Sequence, residues 1–234
     1  MVLGGILHWI FQYEGKLRFF TNITHEFCTP LTLIYGPCER ILHHENSDVF
    51  IKKYAQIIKS NTERLNSLIQ EVIDFRRMET GNQTCHIQEL NISELSQEII
   101  ESFSELAEQN NILLQTDVSP NIIWRSDNSC FTKILNNLIS NAFKYTPNGK
   151  MITVFIREDE GTVSVGVQDQ GIGIAENKRK SLFVRFENLV DKNIFNQASS
   201  GIGLSLVKEL VEMHKATISV DSRLGEGSCF KVDF

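Results

Sequence analysis

The sequence predicts an α + α/β fold, in which a helical hairpin forms a dimeric four-helix bundle and is followed by an α/β sandwich domain. Apolar residues recur at alternating steps of four and three from Phe20 to Ile41, and again from Ile51 to Phe75. This heptad pattern is typical of helices that pack along one seam. After about Cys85 the pattern changes to short alternating strands separated by helices, which predicts the α/β half.

The two heptad stripes are separated by a polar segment, residues 45–48, which predicts the turn of a hairpin. Two helices alone would leave much of each stripe in water, and pairing two hairpins covers it. We therefore expect a homodimer. The stripes comprise Phe20, Thr24, Phe27, Leu31, Ile34, Cys38 and Ile41 in the first helix, and Ile51, Tyr54, Ile58, Asn61, Leu65, Leu68, Val72 and Phe75 in the second.

Four segments are expected along the chain. An apolar lead-in (1–15) is shorter than the roughly 20 residues that span a bilayer, and we interpret it either as the remnant of a membrane anchor or as a lead into the first helix. The helical hairpin follows (16–80), then a polar linker with one glycine (81–84), then the α/β domain (85–234). Any membrane attachment is expected through the lead-in or through segments outside this chain.

Composition excludes several classes of function. The 234 residues carry a formal net charge of −6 and no dense Lys/Arg cluster, which argues against direct nucleic-acid binding. The five cysteines are scattered without a CxxC pair, so neither a disulfide framework nor a zinc site is indicated. Free, mostly buried thiols in a reducing cytoplasm are the expectation.

The sequence of the α/β half predicts a series of helices and strands. Helices are predicted at 91–109, 128–145 and 204–214. Alternating apolar residues predict six strands, at 112–118, 122–125, 151–157, 162–168, 217–221 and 229–234.

The first candidate site lies in the first helix. His25 and Thr29 are four residues apart and share a helix face, and Glu26 adds a carboxylate beside the imidazole. Pro30 has no amide proton to give the carbonyl of Glu26, so it loosens the helix locally. In the heptad register His25 follows the seam residue Thr24 and points outward. A nucleophilic histidine with a neighbouring base is a candidate phosphoryl acceptor.

The second candidate is a polar helix face formed by Asn137, Asn141, Lys144 and Tyr145. Amide oxygens suit a hard cation such as Mg²⁺, which shares phosphate oxygens and retains waters. The lysine adds positive charge for the phosphates. An ordinary amphipathic helix with a solvated polar face is the alternative at this point.

Two glycine motifs complete the candidates. Asp169, Gly171 and Gly173 follow a strand, where the carboxylate is able to accept from an exocyclic amine. Ser200, Gly201, Gly203 and Leu204 open a helix, whose free amides suit a polyphosphate. Neither motif has the Walker spacing. Taken alone, the first has an ordinary β-turn as its alternative and the second a simple helix cap. Between them, residues 177–199 predict a ligand-ordered lid containing Phe183 and Phe186, with an irregular surface loop as the alternative.

Together these motifs resemble the sensor histidine kinases of two-component systems, most of all the hybrid type, from Lys16 to Phe234. The resemblance rests on five boxes in order: Phe19–Leu31, Asn137–Thr146, Asp169–Gly173, Phe183–Phe186 and Gly201–Leu204. It implies a dimerisation and phosphoacceptor domain, followed by an ATP-binding sandwich shared with gyrase and the heat-shock-90 chaperones. The residues around His25 are most similar to those of the hybrid kinases.

The resemblance also implies roles for individual residues. His25 would be the phosphoacceptor, Glu26 its activating base, and Thr29 would orient water for dephosphorylation of the partner. Asn141 would hold Mg²⁺, and Asp169 would accept a hydrogen bond from the adenine amine. The remaining nucleotide-binding set would be Asn137, Lys144, Tyr145, Gly171, Gly173, Phe186, Ser200, Gly201, Gly203 and Leu204.

The predicted function is therefore ATP- and Mg²⁺-dependent autophosphorylation of His25 and transfer to an aspartate of a response-regulator receiver domain, with phosphatase activity towards the receiver as an expected second activity. One alternative is a nucleotide-sensing dimer scaffold that transfers nothing, supported by Cys28 in place of the usual arginine and Ser199 in place of a glycine. A second is an ATPase of the gyrase or chaperone type, in which the histidine hairpin has no role. Besides Cys28 and Ser199, the chain departs from the family at Lys215-Ala216, where the family often has a glycine pair. The expected location is the cytoplasmic portion of a membrane sensor.

Overall fold

The structure, a computed structural model, describes residues 27, 29–41, 48–79, 84–184 and 201–234. The chain divides into two compact units. The first comprises Met1–Gly81 with Ala198–Ile202, and the second comprises Asn82–Gln197 with Gly203–Phe234.

The first unit contains two helices, α1 (29–41) and α2 (Asp48–Glu79). Within this unit the guanidinium of Arg40 donates a 2.9 Å hydrogen bond to the hydroxyl of Tyr54, joining the two helices. The predicted helical hairpin is confirmed.

The predicted heptad stripe is only partly covered within one chain. Leu68 is buried at 6% exposure, but Leu31 and Ile51 remain 51% and 41% exposed. Most of the other described stripe residues are half-buried. Apolar side chains at these positions gain free energy if a further surface covers them.

The second unit alternates strands and helices. In chain order it contains β1 (Gln88–Asn91), α3 (Ile92–Glu101), α4 (Ser104–Gln109), β2 (Leu113–Val118), β3 (Ile123–Ser126), α5 (Asn128–Tyr145), β4 (Met151–Asp159), β5 (Thr162–Asp169), α6 (Glu176–Arg179), α7 (Gly203–Met213), β6 (Thr217–Arg223) and β7 (Gly227–Asp233). The predicted order of a helical region followed by an α/β domain is confirmed.

One local prediction was wrong, and one strand was missed. The helix predicted over 91–109 is two helices, because the chain turns at residues 102–103 between α3 and α4. Strand β1 was not predicted: its four residues pair antiparallel with β3, and Asn91 ends the strand while its side chain caps α3. Four residues with two exposed polar positions carry little periodicity, so a strand this short leaves no clear pattern.

The main sheet has the order β2-β4-β5-β7-β6, with β2 parallel to β4 and the other pairs antiparallel. Strands β4 and β5 form a hairpin whose two turn residues, Glu160 and Gly161, both have positive φ, as a type I′ turn requires. Alternate residues of β4, β5 and β7 are buried, and helices α5 and α7 supply the facing apolar residues. The unit is therefore a two-layer α/β sandwich.

Candidate functional site

Helix α5 presents the predicted polar face. Asp127 caps its N-terminus by accepting a 2.8 Å hydrogen bond from the backbone N–H of Cys130, and Thr146 ends it in extended conformation. Leu138 and Ile139 are fully buried, whereas Asn137 and Asn141 are half-buried. The sequence-predicted division of this helix into a core face and a polar face is confirmed.

Two unsatisfied polar groups lie towards the end of this helix. The side-chain Nδ2 of Asn141 and the hydroxyl of Thr146 are buried and have no hydrogen-bond partner among the described residues. A buried polar group without a partner costs about 1–3 kcal/mol. Each of these two groups therefore indicates a place where water or a ligand completes the hydrogen bonding.

The start of α7 lies against the same face of α5. The side-chain Nδ2 of Asn137 donates a 2.8 Å hydrogen bond to the backbone carbonyl of Lys133. The side-chain Oδ1 of Asn137 lies 2.7 Å from the position that a Cβ on Gly203 would occupy. Gly203 is the first residue of α7, so the free N–H groups of this helix start next to the predicted phosphate-binding face.

Lys144 and Tyr145 end the polar face of α5. The ammonium of Lys144 lies 5.5 Å from the centre of the Tyr145 ring, within cation–π range. The backbone carbonyl of Tyr145 accepts a 3.3 Å hydrogen bond from the N–H of Ile172. This bond ties the end of α5 to the loop that carries the first glycine motif.

Asp169 is the last residue of β5 and is buried at 7% exposure. Its Oδ1 accepts hydrogen bonds from the backbone N–H groups of Gly171 (2.7 Å) and Ser228 (3.2 Å). No described residue donates to Oδ2. One carboxylate oxygen is therefore fixed by the backbone, and the other is able to accept from a ligand.

Burial raises the pKa of the Asp169 carboxyl, and the N–H groups of Gly171 and Ser228 partly offset this effect. The cause is the loss of water around the charged form. A carboxylate with little competing water forms a stronger hydrogen bond with an amine donor than an exposed one.

The glycines of the first motif fit the protein's own backbone closely. A Cβ on Gly171 would lie 2.5 Å from the carbonyl oxygen of Tyr145, and one on Gly173 would lie 1.9 Å from that of Arg223. Gly173 also has φ +65°, which favours glycine. The prediction that these glycines admit a ligand stays a prediction, since each already has a packing reason.

Sequence reasoning missed two residues that shape this site. Gly227 has φ +107°, and a Cβ there would lie 2.0 Å from the carbonyl oxygen of Asp169. The next residue, Ser228, donates to Asp169 as described above. The signal was present in the sequence as Gly225-Glu226-Gly227-Ser228 between two strands, but such turns are common.

Several predicted site residues are not brought together by the described structure. His25, Glu26, Phe186 and Ser200 lie outside the described residues, as do Cys28, Ser199 and most of the predicted lid. Thr29 is exposed on α1. Gly201 has φ +71°, and Leu204 is half-buried in the first turn of α7.

His214 has a structural environment. Its Nδ1–H donates to the carbonyl of Leu210 at 2.7 Å, and its Nε2 accepts from the backbone N–H of Asp127 at 3.3 Å. The hydroxyl of Ser126 lies 3.1 Å from the same nitrogen. Among the described residues no cluster of three or more histidine, cysteine and acidic side chains is suited to a metal ion.

The helices within the described ranges include none that is both long and apolar enough to cross a bilayer.

Comparison with known families identifies both halves of the chain. Residues 15–81 match the His Kinase A (phospho-acceptor) domain. Residues 126–234 match the histidine kinase-, DNA gyrase B- and HSP90-like ATPase domain. The chain belongs to the sensor histidine kinases and contains the catalytic core of that family.

Curated relatives agree with this assignment. Histidine kinase P4 of Formosa agariphila is 37% identical over 225 residues, which are 94% of this chain and 16% of that protein. Hybrid signal transduction histidine kinase D of Dictyostelium discoideum is 30% identical over 224 residues, 93% of this chain and 14% of that protein. The chain thus spans about a sixth or less of the length of these relatives.

Solved structures share the fold. Full-length ShkA in complex with AMPPNP matches 91% of this chain and 44% of its own, with a TM-score of 0.66 and 24% identity. Histidine kinase ThkA in complex with the response regulator TrrA matches 92% of this chain and 60% of its own, with a TM-score of 0.63 and 22% identity. The Acinetobacter baumannii kinase AdeS matches 90% of this chain and 96% of its own, with a TM-score of 0.66 and 19% identity.

The predicted family and fold class are therefore confirmed, and the two domain matches support the predicted enzyme class of protein histidine kinase. ATP binding by the second half follows from the ATPase-domain match. The scaffold alternative is not favoured.

Proposed function

We propose that this chain is an ATP-dependent protein histidine autokinase that phosphorylates its own His25 and passes the phosphoryl group to an aspartate of a response-regulator receiver domain. The observation that best supports ATP binding is the polar face of α5. There the side-chain Nδ2 of the half-buried Asn141 has no partner among the described residues, and Asn141 lies one turn from Asn137, which itself lies against the start of α7.

The purine end of the nucleotide would be recognised by Asp169. Its Oδ2 has no donor among the described residues, and its Oδ1 is fixed by two backbone N–H groups. A carboxylate oxygen accepts from the exocyclic amine of adenine, whereas the carbonyl of guanine at the same position offers no hydrogen. This site therefore favours ATP over GTP.

The residues present fit a Mg²⁺ ion. Amide oxygens are hard ligands, and Mg²⁺ is usually held by few protein groups with phosphates and waters completing its shell. Asn141 would supply one such oxygen, and its unsatisfied Nδ2 would be left to donate to a water or a phosphate oxygen. When bound, the ion neutralises charge on the phosphates. Asn137 and Lys144 would orient the same phosphates from the neighbouring turns.

The acceptor chemistry rests on the sequence. His25 must be neutral to attack the γ-phosphorus, and an unperturbed histidine with a pKa of about 6.5 is largely neutral at pH 7. The carboxylate of Glu26 would hydrogen-bond to the imidazole and orient it. Phosphoryl transfer requires mainly positioning and charge stabilisation, so these few groups are sufficient. Thr29, exposed on α1, would orient water in the reverse, phosphatase direction.

A homodimer is the proposed assembly. The exposed stripe residues Leu31 and Ile51 support it, since a second hairpin would cover them. The proposed domain limits are 16–80 for the phosphoacceptor hairpin, 81–84 for the linker and 85–234 for the ATP-binding domain.

The proposed partner is a receiver domain. The ThkA–TrrA complex, whose kinase shares this fold, supports a response regulator as the acceptor. We also propose that the chain acts in the cytoplasm and that any membrane attachment lies outside the described residues.

Radioactive labelling tests the proposal. The protein is incubated with γ-labelled ATP and Mg²⁺, with EDTA as one control and γ-labelled GTP as another. We expect acid-labile label with ATP, little with GTP and none with EDTA. Addition of isolated receiver domains from kinases of this family should move the label to a matching receiver.

Asn141→Ala provides the matched variant, and Asn128→Ala at the start of the same helix is its control. We expect Asn141→Ala to abolish labelling while its circular dichroism spectrum stays that of the wild type. Equal labelling of wild type and Asn141→Ala would overturn the assignment. Mixing His25→Ala with Asn141→Ala subunits then distinguishes phosphorylation within one protomer from phosphorylation between protomers. Restored labelling means transfer between protomers.

A further inference from the structure

Two cysteine thiols meet at the start of the α/β unit. The sulfur of Cys85 lies 3.1 Å from the sulfur of Cys130. Cys85 is half-buried in the segment before β1, and Cys130 is buried in the first turn of α5. The sequence predicted free thiols without pairing them, because 45 residues separate the two.

We propose that Cys85 and Cys130 form a reversible disulfide that fastens the segment before β1 to the N-terminus of α5. A disulfide bond is about 2.05 Å long, so the sulfurs must approach by about 1 Å. Side-chain rotation about χ1 moves a sulfur by this much without displacing the backbone.

A single carboxylate already holds the backbone beside both cysteines. Oδ2 of Asp127 accepts a 2.6 Å hydrogen bond from the N–H of His86, the residue after Cys85. Oδ1 of Asp127 accepts a 2.8 Å hydrogen bond from the N–H of Cys130 itself. The two chain segments are therefore fixed side by side in the reduced protein, which lowers the entropic cost of joining them.

The environment distinguishes the two thiols. Burial raises the pKa of both thiols, but a hydrogen bond from Cys130 opposes this effect at Cys85. The negative charge of Asp127 raises both pKa values further. Because Cys85 is also the more accessible, it is the attacking sulfur and Cys130 is the resolving one.

Oxidised glutathione supplies the oxidant. The Cys85 thiolate attacks one glutathione sulfur, forms a mixed disulfide and releases one glutathione as a thiolate. Cys130 then loses its proton, and its sulfur attacks Cys85 to release the second glutathione. The protein loses two electrons and two protons, and one oxidised glutathione becomes two reduced molecules. A pair of this kind in a cytoplasmic protein responds to the thiol redox poise.

Helix α5, which carries Asn137 and Asn141, would thereby be joined covalently to the segment before β1. The hydrogen bonds of Asp127 link the same segments non-covalently in the reduced state. The disulfide therefore reinforces an existing arrangement, and oxidation should raise the thermal midpoint of the α/β unit.

Peptide mapping tests the proposal. The full chain is incubated with oxidised glutathione at mildly alkaline pH, alkylated, digested without reductant and analysed by mass spectrometry. We expect a cross-linked peptide pair containing Cys85 and Cys130, lighter than the two free peptides by two hydrogen atoms and absent after dithiothreitol. Full alkylation of Cys85 and Cys130 after this treatment, or linkage of either to another cysteine, would overturn the proposal.

Two variants separate the steps. In Cys130→Ser the mixed disulfide of Cys85 with glutathione should accumulate, because no resolving thiol is present. Cys229→Ser serves as the control and should form the same cross-link as the wild type. If Cys130→Ser does not fold, the wild-type peptide map still decides, since it needs no variant. Absence of glutathione from Cys85 in a folded Cys130→Ser protein would contradict the assignment of Cys85 as the attacking thiol.

Discussion

The backbone N–H of Gly171 donates a 2.7 Å hydrogen bond to Oδ1 of Asp169, two residues earlier in the chain. This bond turns the chain directly after β5 and fixes the carboxylate in a buried position. A Cβ on Gly171 would lie 2.7 Å from the same oxygen, so the turn requires glycine. The first glycine motif thus holds its own aspartate in place.

Replacing that carboxylate should weaken nucleotide binding. Asp169→Asn retains an oxygen for the N–H groups of Gly171 and Ser228 but places an N–H₂ group where Oδ2 stood. A donor then faces the adenine amine, and we expect the Kd for ATP to rise at least about tenfold. Isothermal titration calorimetry with AMPPNP measures it. Asp159→Asn, at the exposed end of β4, should leave the Kd unchanged.

Two glycines with positive φ should differ in their tolerance of alanine. Gly173 (φ +65°) and Gly161 (φ +77°) both meet the cost of placing a Cβ in the left-handed region, about 1–2 kcal/mol. Only Gly173 adds a collision, because its Cβ would lie 1.9 Å from the backbone oxygen of Arg223, whereas Gly161 has open space. Urea unfolding should therefore show Gly173→Ala to be less stable than Gly161→Ala by at least about 1 kcal/mol. Equal losses would contradict the close packing of this loop against β6.

Lys215 is a site where glycine should stabilise the fold. It has φ +56° and ends α7 in a Schellman motif, in which Ala216 N–H bonds to Val211 and Lys215 N–H bonds to Glu212. Glycine has no left-handed penalty at this position, so Lys215→Gly should raise the free energy of unfolding by about 0.5–1 kcal/mol. Thermal unfolding measures the change.

Lys208→Gly is the matched control for that substitution. Lys208 is exposed within α7 and lies 3.8 Å from Glu212 in a weak ion pair. Glycine in a helix interior costs about 1 kcal/mol, so this variant should be less stable than the wild type. Destabilisation by both variants would show that the Schellman end of α7 does not favour glycine.

The Asp127 carboxylate should make stability depend on pH. Burial alone would raise its pKa, but the N–H groups of Cys130 and His86 hold the pKa below its usual range. A lowered folded-state pKa stabilises the fold above the unfolded-state pKa of about 3.9, and this contribution is lost as the pH falls through the folded value. Asp127→Asn should therefore cost about 1–3 kcal/mol at neutral pH.

The stability difference between wild type and Asp127→Asn should change with pH only in acid. Between neutral pH and about pH 4 the gap in unfolding free energy between wild type and Asp127→Asn should stay constant, and it should narrow at lower pH. Asp221→Asn, at an exposed position of β6, is the control and should show no comparable gap. A gap that widens in acid would contradict the assignment of Asp127 as a stabilising carboxylate.

The long periodic elements could be predicted from sequence. Helix α5 was predicted with the observed bounds, because its apolar and polar residues alternate at helical spacing. Strands β4 and β5 were predicted to within two residues for a similar reason, with Glu160-Gly161 as the turn between them. Strong local signals agreed with the tertiary fold in these elements.

The approach of residues that are distant in sequence could not be predicted. The positions of Cys85 beside Cys130, and of Gly227 beside Asp169, depend on how β1 and β7 pair with other strands. Neither approach leaves a periodic pattern. The break between α3 and α4 was missed because Ser102 and Phe103 carry no glycine or proline to mark it.

Identification of the phosphorylated residue tests the central claim most directly. Wild type, His25→Gln and His44→Gln, a second histidine of the same hairpin by sequence, are incubated with γ-labelled ATP and Mg²⁺ and then treated with acid or alkali. We predict acid-labile, alkali-stable label on wild type and His44→Gln and none on His25→Gln, although His25→Gln still binds ATP. Persistence of that label on folded His25→Gln would contradict the account.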